Sequence, residues 1–342
     1  GIADISTRPV QFMEFCGRHT HAILRYGIRD MLPATVTLRS GPGCPVCVTS
    51  AYDVDVAIAM AALPDTIVAT YGDLVRVPGT QGSLEMARAR GADVRVVYSA
   101  VDAVTLAQEN QAKTVVLIGI GFETTSPTVA ASILKAEQLG LTNFLVLPLL
   151  KVTPVIMTAL LQQGELELDG IICPGHVSVI TGTEIYTPIP ERFGVGCVVT
   201  GFEPLDILRS VHMLVGQVES GAPTVQNAYE RAVATEGNPV ARELVDRVFT
   251  PCHAEWRGIG PVAKSGLTLN SSYSRFDAMA TMNVTIERSV EPQGCRCGDI
   301  LRGAATPEDC ALFGSACTPA RPVGPCMVSS EGACAAHFAY RT

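Results

Sequence analysis

The sequence has little charge and no long hydrophobic run. Only 17% of its 342 residues are charged. No apolar stretch approaches the roughly 18 residues that a membrane-spanning helix needs. The net charge of -8 leaves no basic excess, which argues against a surface for nucleic acid or for an anionic membrane. The motif G-x-x-x-x-G-K-[ST] is absent, so the usual apparatus of nucleotide hydrolysis is not predicted.

The start of the sequence, GIADISTRPVQFMEF, shows no export signal, since no basic region leads into a long apolar segment. Twelve cysteines without such a signal predict a reducing, cytoplasmic location, where thiols serve metal binding or redox chemistry more often than structural disulfides. Hydrophobic residues make up 47% of the chain, enough for a large core, and the length predicts two or three domains.

Half of the cysteines lie in the tail between Cys295 and Cys334. The last four, Cys310, Cys317, Cys326 and Cys334, have the spacing C-x6-C-x8-C-x7-C. The prolines and glycines between them predict loops that can fold four sulfurs toward one point. We therefore predict a four-thiolate site in the tail.

A further cysteine, Cys16, stands directly before a predicted helix in the segment CGRHTH. The helix start, Arg18, His19 and His21 form surroundings that can lower the pKa of a thiol and make a thiolate available. The alternative is a buried small hydrophobic residue beside two surface histidines.

The segment Cys44-Pro45-Val46-Cys47 lies between an extended run and a helical pattern. The first sulfur of a C-x-x-C pair at a helix start lies near the positive end of the helix, which favours a thiolate and a redox or metal-binding role. The alternative is half of a structural zinc site, although no second C-x-x-C or His pair follows at zinc-finger spacing.

Between residues 53 and about 217, short apolar runs alternate with amphipathic segments. This alternation is typical of βαβ units with parallel strands covered on both faces. The predicted strands are 66–70, 93–98, 114–120, 143–147, 169–173 and 196–200, and the predicted helices are 52–63, 83–90, 101–112, 126–139, 153–163 and 204–217.

The tripeptide Gly-Phe-Glu occurs twice, at residues 121–123 and 201–203, each time after a predicted strand and before a predicted helix. This repeat predicts an α/β fold with two similar βαβ, Rossmann-like domains that face each other across a cleft. Because strand ends carry the ligands in such folds, we expect functional residues at these turns.

Four residues at predicted strand ends are candidates for the cleft. Glu123, Thr124 and Thr125 resemble an anion cradle at a helix start, and His176 follows a strand in a Pro-Gly turn. As alternatives, Glu123 has only a capping role and His176 is a hydrogen-bonded loop residue. Cys197 lies within an apolar strand and is expected in the core.

Beyond residue 217 the pattern changes to two predicted helices, at 226–234 and 239–248. Cys252 and His253 are neighbours in sequence and point in different directions, so we expect them to be structural. Trp256, the only tryptophan, is expected to be a packing anchor between domains.

Six blocks in one order span almost the whole chain: FMEFCGRHTHAI, SGPGCPVCVT, IGIGFETTSPT, CPGHVSVITG, TGFEPLDIL and CALFGSACTPARPVGPCMVSSEGAC. As a set they resemble the HypD family of hydrogenase maturation factors. The resemblance implies two α/β domains and a third, Cys-rich domain that holds a [4Fe-4S] cluster. It also implies a scaffold that acts with the small partner HypC to assemble the Fe(CN)2CO unit of [NiFe] hydrogenase, with cyanide passed from HypE.

The resemblance also implies site residues. The family's Cys-Gly-x-His motif falls on residues 16–19 and its Cys-Pro-x-Cys motif on residues 44–47. Its cluster ligands fall on Cys310, Cys317, Cys326 and Cys334, although Cys295 and Cys297 leave the assignment open by one pair. Arg18 stands where a small residue is expected, and it adds a positive charge beside the thiol.

The expected domains are 52–140 and 141–217 for the two α/β units, and 218–342 for a helical and loop domain with the cluster. Residues 1–51 are expected to pack at the cleft with both cysteine motifs.

The expected chemistry is that of a redox-active scaffold rather than of a classical turnover enzyme. Iron that carries cyanide and CO is soft and prefers thiolates, so Cys16 and a cysteine of the partner are expected to hold it, with His19 tuning or protonating nearby groups. Cys44 and Cys47 are expected to cycle between dithiol and disulfide while the cluster relays electrons. Two alternatives stay open, a thiol-disulfide oxidoreductase that uses the CPVC motif and a non-catalytic, zinc-stabilised binding protein.

Overall fold

A computed structural model describes residues 1–164 and 166–340. Its strands are β1 (Val10–Glu14), β2 (Val36–Ser40), β3 (Thr66–Thr70), β4 (Asp93–Val96), β5 (Thr114–Gly121), β6 (Phe144–Lys151), β7 (Gly170–Pro174), β8 (Gly196–Thr200), β9 (Val225–Asn227), β10 (Phe249–Trp256) and β11 (Gly260–Leu269).

The α-helices are α1 (Ile2–Ile5), α2 (Gly17–Arg25), α3 (Ile28–Met31), α4 (Pro45–Val48), α5 (Ala51–Ala61), α6 (Leu84–Ala89), α7 (Ala100–Glu109), α8 (Ser126–Gln138), α9 (Thr153–Gln163), α10 (Gly175–Thr181), α11 (Pro188–Phe193), α12 (Pro204–Ser220), α13 (Pro239–Val248), α14 (Ala278–Thr281), α15 (Cys297–Leu301) and α16 (Ala333–Tyr340). Short 3-10 helices span Gly72–Arg76, Glu184–Tyr186, Ser271–Phe276, Pro307–Asp309 and Pro325–Met327.

The strands form two sheets. A five-stranded sheet has the order β2-β1-β7-β8-β9, and all of its neighbouring strands are parallel. A six-stranded sheet has the order β10-β11-β6-β5-β3-β4, in which β3 to β6 are parallel and the β10–β11 hairpin is antiparallel. The predicted mixed α/β fold with mainly parallel strands is confirmed, while its division into two Rossmann-like domains stays a prediction.

The strands are shared between the sheets differently from the predicted domain ranges. β1 and β2 lie within residues 1–51, yet they pair with each other and with β7, so this segment is part of the five-stranded sheet. β6 lies within residues 141–217, yet it pairs with β5 over seven residues of the six-stranded sheet. The alternation of apolar runs predicts where strands are, but the choice of neighbour depends on contacts far apart in sequence.

The segment after residue 217 contains strands that the sequence pattern did not predict. The predicted helix at 226–234 is wrong, because β9 occupies residues 225–227 and pairs with β8. β10 and β11 extend the six-stranded sheet at its edge, where β11 pairs with β6. Such edge strands are half exposed and carry weak hydrophobic patterns, so their pairing is decided by tertiary contacts. The predicted helix at 239–248 is confirmed as α13.

The largest hydrophobic core joins both sheets to the cysteine-rich tail. It contains Ile118 of the six-stranded sheet, Ile171 of the five-stranded sheet and Cys297 of the tail. Trp256 is fully buried in this core, where its indole stacks on Phe122 with ring centroids 6.1 Å apart. Its ring N–H donates to the hydroxyl of Ser265 at 2.8 Å. These contacts pack Trp256 against the six-stranded sheet, and its expected role as an anchor between domains stays a prediction.

Within the described residues, no helix has both the length and the apolar character that crossing a membrane requires.

Glu14 is a buried carboxyl at the end of β1. Its Oε1 accepts hydrogen bonds from the hydroxyls of Thr20 at 3.1 Å and Ser40 at 2.9 Å. Among the described residues no donor faces its Oε2. Burial raises the pKa of Glu14 to about 7, so this carboxyl ties β1, β2 and α2 together chiefly in its protonated form.

We predict that Glu14→Gln removes a pH dependence of stability. The folded pKa is raised above the unfolded value, so the contribution of Glu14 is full below about pH 4.5 and is lost as the pH rises through 7. The free energy of unfolding of the variant relative to wild type should therefore rise by on the order of 3 kcal/mol between pH 4.5 and 8. Urea unfolding at both pH values measures this difference.

Glu109→Gln, at an exposed position at the end of α7, is the control and should show no such change. An equal difference between Glu14→Gln and wild type at both pH values would contradict the assignment.

Candidate functional site

Five loops that follow the carboxyl ends of parallel strands meet at one place. Cys16 follows β1, Cys44 follows β2, Thr124 follows β5, His176 follows β7 and Phe202 follows β8. The strands come from both sheets, and the carboxyl ends of parallel strands are where such folds bind ligands. The expectation that strand ends carry the site residues therefore agrees with the observed placement.

Close backbone contacts hold these loops together. A Cβ atom on Gly43 would lie 2.3 Å from the backbone N of Cys16, and one on Gly17 would lie 2.0 Å from the carbonyl oxygen of Glu331. The backbone N–H of Gly17 also donates to the carbonyl of Gly43 at 3.2 Å. Only glycine at positions 43 and 17 allows the backbones to come this close. The loops at 16–17, 41–44 and 331 are therefore in direct contact.

Cys16 lies at the N-terminal end of α2 and is only 1% exposed. Its sulfur is 3.8 Å from Nδ1 and 4.0 Å from Nε2 of His176. Burial, followed by the negative charge of Glu331, raises the pKa of Cys16 to about 12. The prediction of a lowered thiol pKa is therefore not matched, because burial outweighs the helix start and the Arg18 charge.

His176 is the imidazole that faces the Cys16 sulfur. Burial, followed by the Arg18 charge, lowers its pKa to about 4, so the ring is neutral at neutral pH. The ring stacks on Phe202 with centroids 5.2 Å apart. A neutral imidazole has one ring nitrogen that can accept a proton, and this ring lies beside a protonated thiol.

His19 has a different position from the one expected of a residue that acts on the thiol. Its Nε2–H donates to the carbonyl of Gly201 at 3.0 Å. Its ring stacks on Phe202, with the ring centroids 4.9 Å apart. Burial lowers the pKa of His19 to about 3. Its Nδ1 is buried and has no hydrogen-bond partner among the described residues. These contacts anchor α2 to the end of β8.

Cys44 and Cys47 form a disulfide at the start of α4. Cys44 is the residue before the helix, its sulfur accepts a hydrogen bond from the backbone N–H of Cys47 at 3.2 Å, and Pro45 takes the first helical position. The two cysteines are 3% and 0% exposed. The sulfur of Cys47 lies 4.0 Å from the carbonyl oxygen of Pro325, the residue before Cys326. The disulfide is therefore packed against the cysteine-rich tail.

A cavity of about 310 Å³ opens beside Cys16. It is lined by Arg18, Gly43, Pro45, Phe122, Thr124, Thr125, His176 and Glu331. The structure thus brings Thr124, Thr125 and His176 together.

Glu123 does not line this cavity. Its carboxylate accepts hydrogen bonds from the backbone N–H of Thr153 at 2.7 Å and from the Thr153 hydroxyl at 2.8 Å, and so holds the start of α9. Burial raises the pKa of Glu123. The capping role considered for Glu123 agrees with these contacts, although the helix it caps is α9 rather than the helix that follows it.

Arg18 and Glu331 form an ion pair beside the cavity, with 3.3 Å between Nε and Oε1. The guanidinium also lies 5.9 Å from the ring centroid of Phe202. Sequence reasoning considered Arg18 but missed Glu331, which stands in the tail and reaches the site only through the fold. The sequence did indicate that Glu331 lies near the cysteines, because it stands three residues before Cys334 in the block CALFGSACTPARPVGPCMVSSEGAC.

Six cysteines of the tail line a single cavity: Cys295, Cys297, Cys310, Cys317, Cys326 and Cys334. Ile300, Leu312, Phe313 and Met327 complete much of its wall. Burial and the neighbouring thiols raise the pKa of Cys334. The hydrogen bond that the Cys295 thiol donates to Cys297, followed by burial, raises the pKa of Cys295. Deprotonating these buried thiols without a compensating charge would cost free energy. A bound metal centre would supply positive charge and offset that cost.

Within residues 1–164 and 166–340, no three His, Cys, Asp or Glu side chains are arranged to hold one metal ion between them. An iron–sulfur cluster distributes its cysteine ligands over several irons, so it does not need sulfurs that converge on one atom. Five buried thiols and the partly buried Cys295 around an apolar cavity are a donor set of the type that such clusters use.

The sequence was compared with known families and proteins. The family model HypD, described as "Hydrogenase formation hypA family", matches residues 2–341. The chain belongs to the HypD family. It is 49% identical over 341 residues to the hydrogenase maturation factor HypD2 of Bradyrhizobium diazoefficiens, which covers 97% of this chain and 90% of the relative.

Two further relatives match nearly the whole chain. The hydrogenase maturation factor HypD of Escherichia coli is 44% identical over 335 residues, covering 98% of this chain and 90% of the relative. A putative hydrogenase expression/formation protein of Methanocaldococcus jannaschii is 43% identical over 332 residues, covering 97% of this chain and 92% of the relative. The resemblance inferred from the six sequence blocks is thus confirmed at the level of the family.

We predict that Gly43→Ala destabilises the protein by about 1–3 kcal/mol, because the added methyl group overlaps the backbone of Cys16. Gly216→Ala is a matched control within α12, where an added Cβ meets nothing within 4 Å. That change should stabilise the helix by up to about 1 kcal/mol. Urea unfolding measures both, and equal stabilities for the two variants would show that the loops are not in tight contact.

Proposed function

We propose that this chain acts in hydrogenase maturation as a scaffold on which the Fe(CN)2CO unit is assembled, together with a small HypC-type partner and a HypE-type cyanide donor. Membership of the HypD family and the names of the relatives support the general role. One observation supports the finer proposal. The loop of Cys16 contacts the loop of Cys44 and Cys47, which in turn contacts the tail beside the six-cysteine cavity.

In this proposal Cys16 and a cysteine of the partner hold the iron as substrate. Cyanide and CO make iron a soft centre, for which thiolate is the preferred side-chain ligand. Cys16 is almost fully buried, so the cleft must open before iron reaches its sulfur. Arg18, Thr124 and Thr125 line the adjacent cavity and can donate hydrogen bonds to anionic ligands of the iron.

His176 would accept the proton that Cys16 loses when the sulfur binds iron. The pKa values of about 12 for the thiol and about 4 for the imidazole place the proton on sulfur in the resting site. Burial raises the pKa of the thiol and lowers that of the imidazole, so transfer is unfavourable at rest and is expected only as the iron–sulfur bond forms. The resting thiol is therefore protected from premature reaction.

The Cys44–Cys47 disulfide can accept two electrons and two protons to become a dithiol. Because both sulfurs are buried, an external protein disulfide has no access to them, which disfavours a general thiol-disulfide oxidoreductase. The tail packs on this pair, with the Cys47 sulfur 4.0 Å from the carbonyl oxygen of Pro325, so a redox group held by the tail would lie beside the disulfide.

We assign a [4Fe-4S] cluster to the tail cavity, with Cys310, Cys317, Cys326 and Cys334 as its expected ligands. When bound, such a cluster supplies single electrons to neighbouring redox groups. Cys295 and Cys297 line the same cavity, so either could replace a member of the expected set. The donor set suits this cofactor because the thiols are buried, close together and surrounded by apolar side chains.

Cys16→Ala tests the iron site. In complex with the HypC-type partner, the variant should lose bound iron together with its infrared bands from cyanide and CO, because the alanine methyl cannot ligate iron. Cys252→Ala, at a half-buried cysteine outside the cavity, should keep both signals. Intact bands in the Cys16→Ala complex would remove Cys16 from the ligand set.

His176→Gln tests the proton acceptor. Without the imidazole, solvent hydroxide must remove the Cys16 proton, so the rate of iron loading should rise about tenfold per pH unit between pH 7 and 9. Wild type should depend on pH less steeply, because His176 is available throughout this range. His212→Gln, on an exposed face of α12, is the control. A wild-type pH profile in His176→Gln would contradict the role.

Cys310→Ala tests the tail. Wild type purified without oxygen should contain about four irons and four acid-labile sulfides per chain, and the variant should lose most of both. Cys173→Ala, a buried cysteine of β7, should retain them. Separate Cys295→Ala and Cys297→Ala variants show whether either replaces a ligand. Zinc without sulfide in wild type would favour the zinc-stabilised binding protein instead.

A further inference from the structure

Arg257 is a buried cation at the end of the β10 strand, with a side chain only 1% exposed. Its Nε donates to the carbonyl of Thr49 at 2.8 Å, and its Nη2 donates to the carbonyl of Pro78 at 3.4 Å. Its Nη1 is buried and faces no acceptor among the described residues. A buried guanidinium that is only partly satisfied is costly to fold, so its position calls for an explanation.

One side of Arg257 contacts α4 (Pro45–Val48), which carries the redox pair and is called the dithiol helix below. Its backbone N–H donates to the carbonyl of Val48 at 2.9 Å, and its guanidinium takes the carbonyl of Thr49. These carbonyls are the last of α4 and the next along the chain, and α4 begins directly after Cys44. The helix that carries the disulfide is thus held at its far end by one residue.

The other side of Arg257 faces the thiols of the tail. A Cβ on Gly258 would lie 2.1 Å from the Cα of Gly298, so the turn after Arg257 lies directly against the residue after Cys297. Arg257 lines a cavity of about 190 Å³ together with Cys295 and Cys297.

Few groups offset the charge of Arg257. Glu291 is the carboxylate nearest to it, with its Oε1 3.4 Å from Nε, but it is 49% exposed and therefore screened by solvent. Asp299 lines the same cavity and is paired with Arg296 at 2.9 Å and with Arg302 at 2.8 Å. The guanidinium therefore leaves a net positive field between the dithiol helix and the tail thiols.

We propose that Arg257 is a positioning residue for the redox chemistry of this protein, which braces the dithiol helix against the tail and raises the reduction potential of the Cys44–Cys47 disulfide. The inference rests on the proposed redox role of this pair. Reduction by a dithiol such as dithiothreitol transfers two electrons and breaks the Cys44–Cys47 bond, while dithiothreitol closes to its own disulfide. Of the two protons that dithiothreitol loses, one passes to the cysteine pair and the other to solvent, which leaves a thiol and a thiolate. A fixed cation favours the thiolate product.

The experiment equilibrates the full-length protein with dithiothreitol redox buffers and quantifies reduced Cys44 and Cys47 by differential alkylation and mass spectrometry. Arg257→Gln keeps a donor for the Thr49 carbonyl but removes the charge. It should lower the equilibrium constant for reduction about tenfold, which is about 30 mV for a two-electron couple. Arg257→Lys keeps the charge and should stay within about threefold of wild type.

Glu291→Gln provides a test of opposite sign in a variant that keeps the buried arginine. It removes the partial offset of the Arg257 charge, so the equilibrium constant for reduction should rise. Arg275→Gln and Glu137→Gln are matched controls, because these residues form an exposed ion pair with the same 3.4 Å separation elsewhere on the surface. Neither control should shift the equilibrium.

An unchanged equilibrium in Arg257→Gln, or a decrease in Glu291→Gln, would overturn the proposal, since loss of packing alone predicts no increase. If Arg257→Gln does not fold, the other two variants decide the matter. An increase in Glu291→Gln with Arg257→Lys within about threefold of wild type supports the proposal, and no increase in Glu291→Gln or a larger shift in Arg257→Lys overturns it. The measurement does not require bound iron or sulfide. A tail that binds neither would therefore refute the proposed cluster while leaving the role of Arg257 to be decided by the disulfide alone.

Discussion

The site depends on the contact between the backbones of Cys16 and Gly43. Because a Cβ on Gly43 would lie only 2.3 Å from the backbone of Cys16, the loops after β1 and β2 can touch only with glycine at this position. In the same way, the missing side chain of Gly17 leaves room for the backbone carbonyl of Glu331 in the tail. Three segments far apart in sequence therefore share one wall of the cleft, and the thiol, the disulfide and the tail follow from that arrangement.

Burial controls the chemistry of the sulfurs at this place. The Cys16 thiol and the His176 imidazole are both neutral at rest, because the protein interior penalises the charged form of each. The Cys44–Cys47 pair and the tail thiols are likewise removed from solvent. Burial keeps these groups away from metals and oxidants in solution, and a thiolate at this place requires a cation to compensate its charge. Arg257 is a buried cation that contacts both α4, which carries the disulfide, and the cavity lined by Cys295 and Cys297.

Much of the α/β architecture was predictable, because local apolar runs decide where parallel strands lie. The predicted strands at 66–70 and 196–200 coincide with β3 and β8, and the predicted helix at 153–163 coincides with α9. The β10–β11 hairpin was not predicted, since its half-exposed strands lack a strong pattern. At the site, Cys16, Cys44 and Cys47 could be singled out from their spacing and helix-start positions. The roles of His19 and Glu123 could not, because hydrogen bonds to Gly201 and Thr153 decide them.

The sequence by itself determined the family, the βα rhythm and the three groups of cysteines, because these are properties of order, spacing and residue type. Only the tertiary structure decided that His176 rather than His19 faces the Cys16 sulfur, that Glu331 joins the cleft and that Arg257 contacts both the end of α4 and the tail. Each of these depends on which strands become neighbours. That choice comes from packing over the whole core, where a side chain's partner is set by distance in space and its pKa by the depth of burial.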